Sequence, residues 1–94
     1  MPAFNGNTSG SVLQVAYNIP SGILTFSMAN KSFGSITVNL YIRNNENNDI
    51  SVIPYNLILN AGDVLYSSNG VRILSGSSIY ITTTGSLDYY FTIE

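Results

Sequence analysis

From residue 35 to 44 apolar and polar residues alternate without a break. Ile36, Val38, Leu40 and Ile42 take one parity; Thr37, Asn39, Tyr41 and Arg43 take the other. A period of two places the four aliphatics on one face of an extended strand and leaves the opposite face mostly polar. No helix-spaced stripe of comparable length exists, and β-branched and aromatic residues dominate throughout. A half-buried strand cannot stand alone, so this run requires further strands around it.

Punctuation supplies them. Strand-like runs cover residues 12–18, 23–29, 50–53, 57–59, 63–67, 71–74, 78–83 and 89–93. Pro20 and Gly22 mark the first turn, and Gly62 with Asp63 another, where the Asp carboxylate is expected to bond neighbouring backbone N–H groups. Asn69-Gly70 reads as a hairpin turn and Gly76 as a further one. Pro54 marks a break or a sheet edge. Leu57, Leu59, Gly62, Leu65 and Tyr66 recur fourteen residues later as Val71, Ile73, Gly76, Ile79 and Tyr80, which reads as successive hairpins sharing one turn chemistry. The fold expected is all-β: one small antiparallel β-sandwich, jelly-roll-like, of about seven or eight strands. Residues 12–94 form that domain. Residues 1–11, MPAFNGNTSGS, show no periodicity and read as an extended N-terminal arm, flexible alone or ordered by a partner. Deleting residues 2–10 is then expected to weaken partner binding and leave the domain's melting unchanged.

Composition narrows the function. Charged residues are 9 % of the 94, with three cations, five acids and a net charge of −2. Lys31, Arg43 and Arg72 are too few to neutralise a phosphate backbone, so nucleic acid is not an expected partner. Without Cys or His there is no disulfide, thiolate metal site or histidine base. No apolar run has the length of a membrane span, and the first ten residues lack the pattern of a secretory signal. The carboxylates do not fall into a facing pair and Lys31 sits in a polar connection, so no enzyme and no cofactor are expected. The loop 44–49, Asn-Asn-Glu-Asn-Asn-Asp, has oxygen donors that suit Ca²⁺ but lacks the spacing of a calcium loop; a solvated loop is the better reading.

What remains is a surface of Asn, Ser, Thr and Tyr. Tyr41 should point outward beside Arg43, Tyr80 should point outward between Ile79 and Ile81, and one of Tyr89 and Tyr90 must do the same. The candidate partner contacts are Tyr41, Arg43, Tyr80, Tyr90, Asn45 and Asn47. Such tyrosines pair across strands, anchor a protein interface or stack on a sugar.

The order of motifs from residue 17 to 94 resembles the small β-sandwich structural proteins of tailed-bacteriophage virions. It runs from Tyr17-Asn18-Ile19-Pro20-Ser21-Gly22 through Met28-Ala29-Asn30-Lys31-Ser32 and the strand Ile36-Thr37-Val38-Asn39-Leu40-Tyr41-Ile42. It continues in Leu57-Ile58-Leu59-Asn60-Ala61-Gly62-Asp63, Gly70-Val71-Arg72-Ile73-Leu74 and Ser75-Gly76-Ser77-Ser78-Ile79-Tyr80-Ile81. It closes on Leu87-Asp88-Tyr89-Tyr90-Phe91-Thr92-Ile93-Glu94. The Asn-rich loop 44–49 is not a feature of that family. The resemblance implies a non-enzymatic virion component assembled in the host cytoplasm. Foremost is a capsid decoration or cement subunit, with a neck or tail subunit as the alternative. Its partners would be the major capsid or other virion proteins and further copies of itself. It implies no catalytic or ligand-binding residue. From a different class, the exposed tyrosines also admit a small carbohydrate-binding module.

Overall fold

The computed structural model describes residues 3–9, 12–67 and 70–94. They form ten strands and no helix: β1 (Ala3–Ser9), β2 (Val12–Ile19), β3 (Gly22–Asn30), β4 (Ile36–Arg43), β5 (Asp49–Ser51), β6 (Leu57–Leu59), β7 (Val64–Tyr66), β8 (Val71–Ile73), β9 (Ser77–Thr83) and β10 (Ser86–Ile93).

One rule generates the pairing. Ala3 lies opposite Thr92, Val12 opposite Thr82, Gly22 opposite Ile73, Ile36 opposite Leu59 and Arg43 opposite Asp49. The first half of the chain thus runs antiparallel to the second, and the whole is one long hairpin whose tip is the loop 44–48. Rolling that hairpin sets β3 beside β10 and β4 beside β9. The first sheet runs β1-β10-β3, with β7 and β8 end to end along β3; the second runs β2-β9-β4, with β5 and β6 end to end along β4. This winding is a jelly roll, which has about eight strand positions. Ten strands are seen, rather than seven or eight, because two positions each hold two short strands. Pro54, which has no N–H, and Asn56, at φ 54°, lie in the break between β5 and β6.

Between the sheets, Leu24 and Met28 of β3, Val38 and Leu40 of β4, Ile79 and Ile81 of β9, and Leu87 and Phe91 of β10 are fully buried. The aliphatic face anticipated on β4 therefore is an inner face. Each such side chain stabilises the sandwich by ~1.5–3 kcal/mol.

Three expectations are corrected. Ala3–Ser9 is not an arm but an edge strand, in register with β10 over seven pairs. Its alternation is hidden because its inward positions are Phe4, Gly6 and Thr8 rather than three aliphatics. Gly6 is small where Tyr89 packs: a Cβ there would lie 3.0 Å from the Tyr89 hydroxyl. Second, β7 and β8 do not pair with each other, as the hairpin expected at Asn69-Gly70 would require; both lie along β3. Asn69 is outside the described residues, and the bare Cα of Gly70 lies against the Ile23 side chain. Third, the fourteen-residue echo marks crossings between sheets rather than hairpins. β6 passes to β7 and β8 passes to β9 by four-residue turns closed by Asp63 N–H on the Asn60 carbonyl (2.9 Å) and Ser77 N–H on the Leu74 carbonyl (3.3 Å). Gly62 and Gly76 hold the third position of each turn, at φ 81° and 86°.

Candidate functional site

The outer face of the second sheet follows from the burial of its inner face. With Ile36, Val38, Leu40 and Ile42 turned in, Tyr41 and Arg43 must turn out. Tyr41 and Tyr80 are direct cross-strand partners; their rings stack at 5.3 Å and 9°. The Arg43 guanidinium lies 4.7 Å from the centre of the Tyr80 ring. It also grips Asp49 in two bonds, Nε to Oδ1 at 2.8 Å and Nη2 to Oδ2 at 3.2 Å. The hydrogen bond with Arg43 holds the Asp49 carboxyl below its ordinary value and raises the guanidinium's in turn. Of the three uses anticipated for these tyrosines, Tyr41 and Tyr80 display cross-strand pairing.

Beyond Arg43 the hairpin tip turns on Asn44. Its Oδ1 accepts the N–H groups of Glu46 (2.9 Å) and Asn48 (3.0 Å), and its carbonyl accepts that of Asn47 at 3.0 Å. With Asn44 capping backbone and Asp49 held by Arg43, the loop is tied by its own bonds. Among the described residues no three acidic side chains gather into a metal-binding group.

A groove of about 520 Å³ opens beside this tip. Asn45 and Asn47 of the tip and Tyr17 and Asn18 at the end of β2 line it. Gly76 lines it as well, and a Cβ there would meet Asn45 Cβ at 3.3 Å. Tyr17 is the residue that sequence phase misplaces. Counting by two from Leu13 and Val15 would turn it inward. Register shifts between Gln14 and Ala16, and again between Ala16 and Ile19, rephase the strand. Ala16 and Ile19 are buried instead, and Tyr17 stands 76 % exposed. Those shifts leave no signature in composition.

Tyr90 belongs elsewhere. It projects from the outer face of the first sheet, while Tyr89 packs on the core beside Phe91. Ser27 of β3 lies between Tyr90 and Tyr66, which are 50 % and 69 % exposed. The structure thus brings Tyr41, Arg43 and Tyr80 together, sets Asn45 and Asn47 just past them, and leaves Tyr90 on the opposite sheet. The turn residues serve the fold. Asp63 Oδ2 accepts the Asn60 N–H at 3.1 Å, Gly62 N–H reaches the Asn30 carbonyl at 3.3 Å, and Gly76 N–H reaches that of Ile19 at 2.9 Å. Pro20 separates β2 from β3, and Gly22 opens β3 close against the Glu94 carbonyl.

No protein-family model and no curated protein matches the sequence. Among solved structures, the chain is similar to the C-terminal domain of a structural protein from Sulfolobus turreted icosahedral virus. The two are 22 % identical with a TM-score of 0.58, covering 98 % of this chain and 94 % of that one. It is also similar to the Anabaena sensory rhodopsin transducer, 11 % identical with a TM-score of 0.61 over 90 % of this chain and 97 % of the other. A pentameric capsid protein from metagenomic phage sequences is 8 % identical, with a TM-score of 0.51 over 97 % of this chain and 62 % of its own. Viral and non-viral proteins stand side by side here. What these structures share with this chain is its fold: two antiparallel sheets wound as a β-sandwich.

Proposed function

We propose that this chain is a non-enzymatic structural subunit of a bacteriophage virion, decorating the head and adding contact area between capsomers. The observation that carries the reading is the row Tyr66, Ser27, Tyr90 and Asn5 across the outer face of the first sheet. Two exposed tyrosines flank a serine, with no charge in the row. Rigid aromatic rings on an uncharged surface suit a protein interface, because they contribute large contact area with little ordering of side chains. The jelly-roll likeness to two viral proteins and the motif order from residue 17 to 94 support the same role. Further copies of the chain are the second partner, and the outer edge of β1, seven residues in unbroken register with β10, is where one would add.

Counting copies in purified particles tests this. Hundreds of copies are expected for a head protein, whereas about six or twelve would move the subunit to a neck or tail ring. Absence from particles overturns the virion role. Replacing Tyr66 and Tyr90 together by Ala should lower occupancy on the particle with no change in the melting of the free domain. Full occupancy would show that another face makes the contact.

A further inference from the structure

We propose that the groove beside the hairpin tip is a binding site for a neutral saccharide. The asparagines of this chain divide by use. Asn7, Asn30, Asn39, Asn56 and Asn60 bond to other parts of the fold through their side chains, and Asn44, which also lines the groove, caps its own tip loop. Asn5 apart, those whose side chains bond to nothing among the described residues are Asn18, Asn45, Asn47 and Asn48. Asn18, Asn45 and Asn47 line this groove, and Asn48 belongs to the same tip loop. A primary amide presents one acceptor and two donors in a plane, which matches a pair of adjacent hydroxyls.

The remaining lining has the same character. Tyr17 offers a ring that is mostly free, and the C–H face of a pyranose packs on such a ring. Ser75 adds an exposed hydroxyl, while the Ser78 hydroxyl is buried and accepts the Asn18 N–H at 3.4 Å. Arg43 is the one charged group in the lining, and Asp49 neutralises it through two bonds, so the groove has no net attraction for a phosphate or an acidic group. The groove, about 520 Å³, is polar and open to solvent on one side rather than an enclosed apolar pocket.

The local backbone is committed to this arrangement. Asn18 and Asn47 hold φ of 51° and 63°, and the rephased end of β2 turns Tyr17 outward instead of into the core. Left-handed residues and bulges collect where side chains must be aimed. Both features also serve the sandwich: the shifts bring Ala16 and Ile19 into the core, and the left-handed Asn47 belongs to the turn that Asn47 N–H closes on the Asn44 carbonyl. This site is separate from the Tyr66–Tyr90 face and does not rest on the virion role.

The test is a titration of the full chain, labelled with ¹⁵N, with glucose, galactose and mannose into the tens of millimolar. Neutral oligosaccharide arrays extend the panel. Saturable shifts are expected at Tyr17, Asn18, Asn45 and Gly76 for at least one sugar, with epimers differing in affinity. Tyr17→Ala and Asn45→Ala should each weaken that binding by about tenfold or more, on the scale of 1.4 kcal/mol per decade. Tyr55→Ala, an equally exposed ring elsewhere, should leave binding unchanged. Melting of all three variants serves as the check on folding. No saturable shift with any neutral sugar overturns the proposal. So do shifts centred on Tyr66 and Tyr90, and so does a response at the groove to inorganic phosphate alone.

Discussion

Asn30 shows how much one buried amide can hold in a sandwich this small. It is 3 % exposed. Its Nδ2 donates to the carbonyls of Gly34 (2.9 Å) and Leu59 (3.0 Å), and its Oδ1 accepts the Ser32 N–H at 2.7 Å. Alanine in its place would remove all three bonds, of which the one to the Leu59 carbonyl is buried and the other two are partly open to water. The expected loss is ~2–4 kcal/mol in urea unfolding, against less than ~0.5 kcal/mol for Asn48→Ala. A loss for Asn30→Ala as small as that of the control would refute the role. In the sequence, Asn30 opens what looks like an ordinary polar connection, and Asn30-Lys31-Ser32 resembles a surface glycosylation acceptor. Leu59 is 29 positions away, and nothing local announces it. Tyr41 and Tyr80 were legible for the opposite reason: strict alternation fixes their side of the sheet. Tyr17 was not, because bulges break that count.

At the scale of elements, strands with aliphatic inner faces could be read and strands with small inner residues could not. β1 has Phe4 as its single large apolar side chain turned inward, packed against the core. It nevertheless pairs with β10 from Ser86 to Thr92, all of that strand but Ile93. Removing residues 1–9 strips Phe4 from the core and exposes the β10 edge. The melting temperature is expected to fall by more than ~8 °C, at ~4–8 °C per kcal/mol for a domain of this size. A truncated chain that melts with the intact one would restore the reading of this segment as an arm. The turns had a clearer signature. The fourteen-residue echo was visible in sequence, and its repeated glycine marks a real repeated geometry. What periodicity could not reveal is that each turn changes sheets, since a crossing and a hairpin use the same turn residues.

For the molecule as a whole, sequence pattern reached the class and the sandwich. It did not reach the pairing, because alternation states which side of a strand is buried and not which strand lies alongside. The same winding serves a viral structural domain and a sensory rhodopsin transducer, so in this fold architecture and role are separable. The winding has a kinetic consequence. Sheets joined by distant contacts fold slowly because long loops must close. Here the distances along the chain are deceptive. Once Arg43 meets Asp49, Ile36 and Leu59 are near one another, then Gly22 and Ile73, and last Ala3 and Thr92. Closure from the tip outward would make each step short, and this is the folding route we predict. Asn44→Ala, which removes two bonds inside that tip, should slow folding and leave unfolding nearly unchanged. Phe4→Ala, in the last strands to close, should speed unfolding and leave folding alone. Stopped-flow chevrons measure both, and the reverse assignment would mean that the chain closes from its ends. On this route the rate at which the chain first commits to its shape is set by a loop of asparagines that contributes almost nothing to the core.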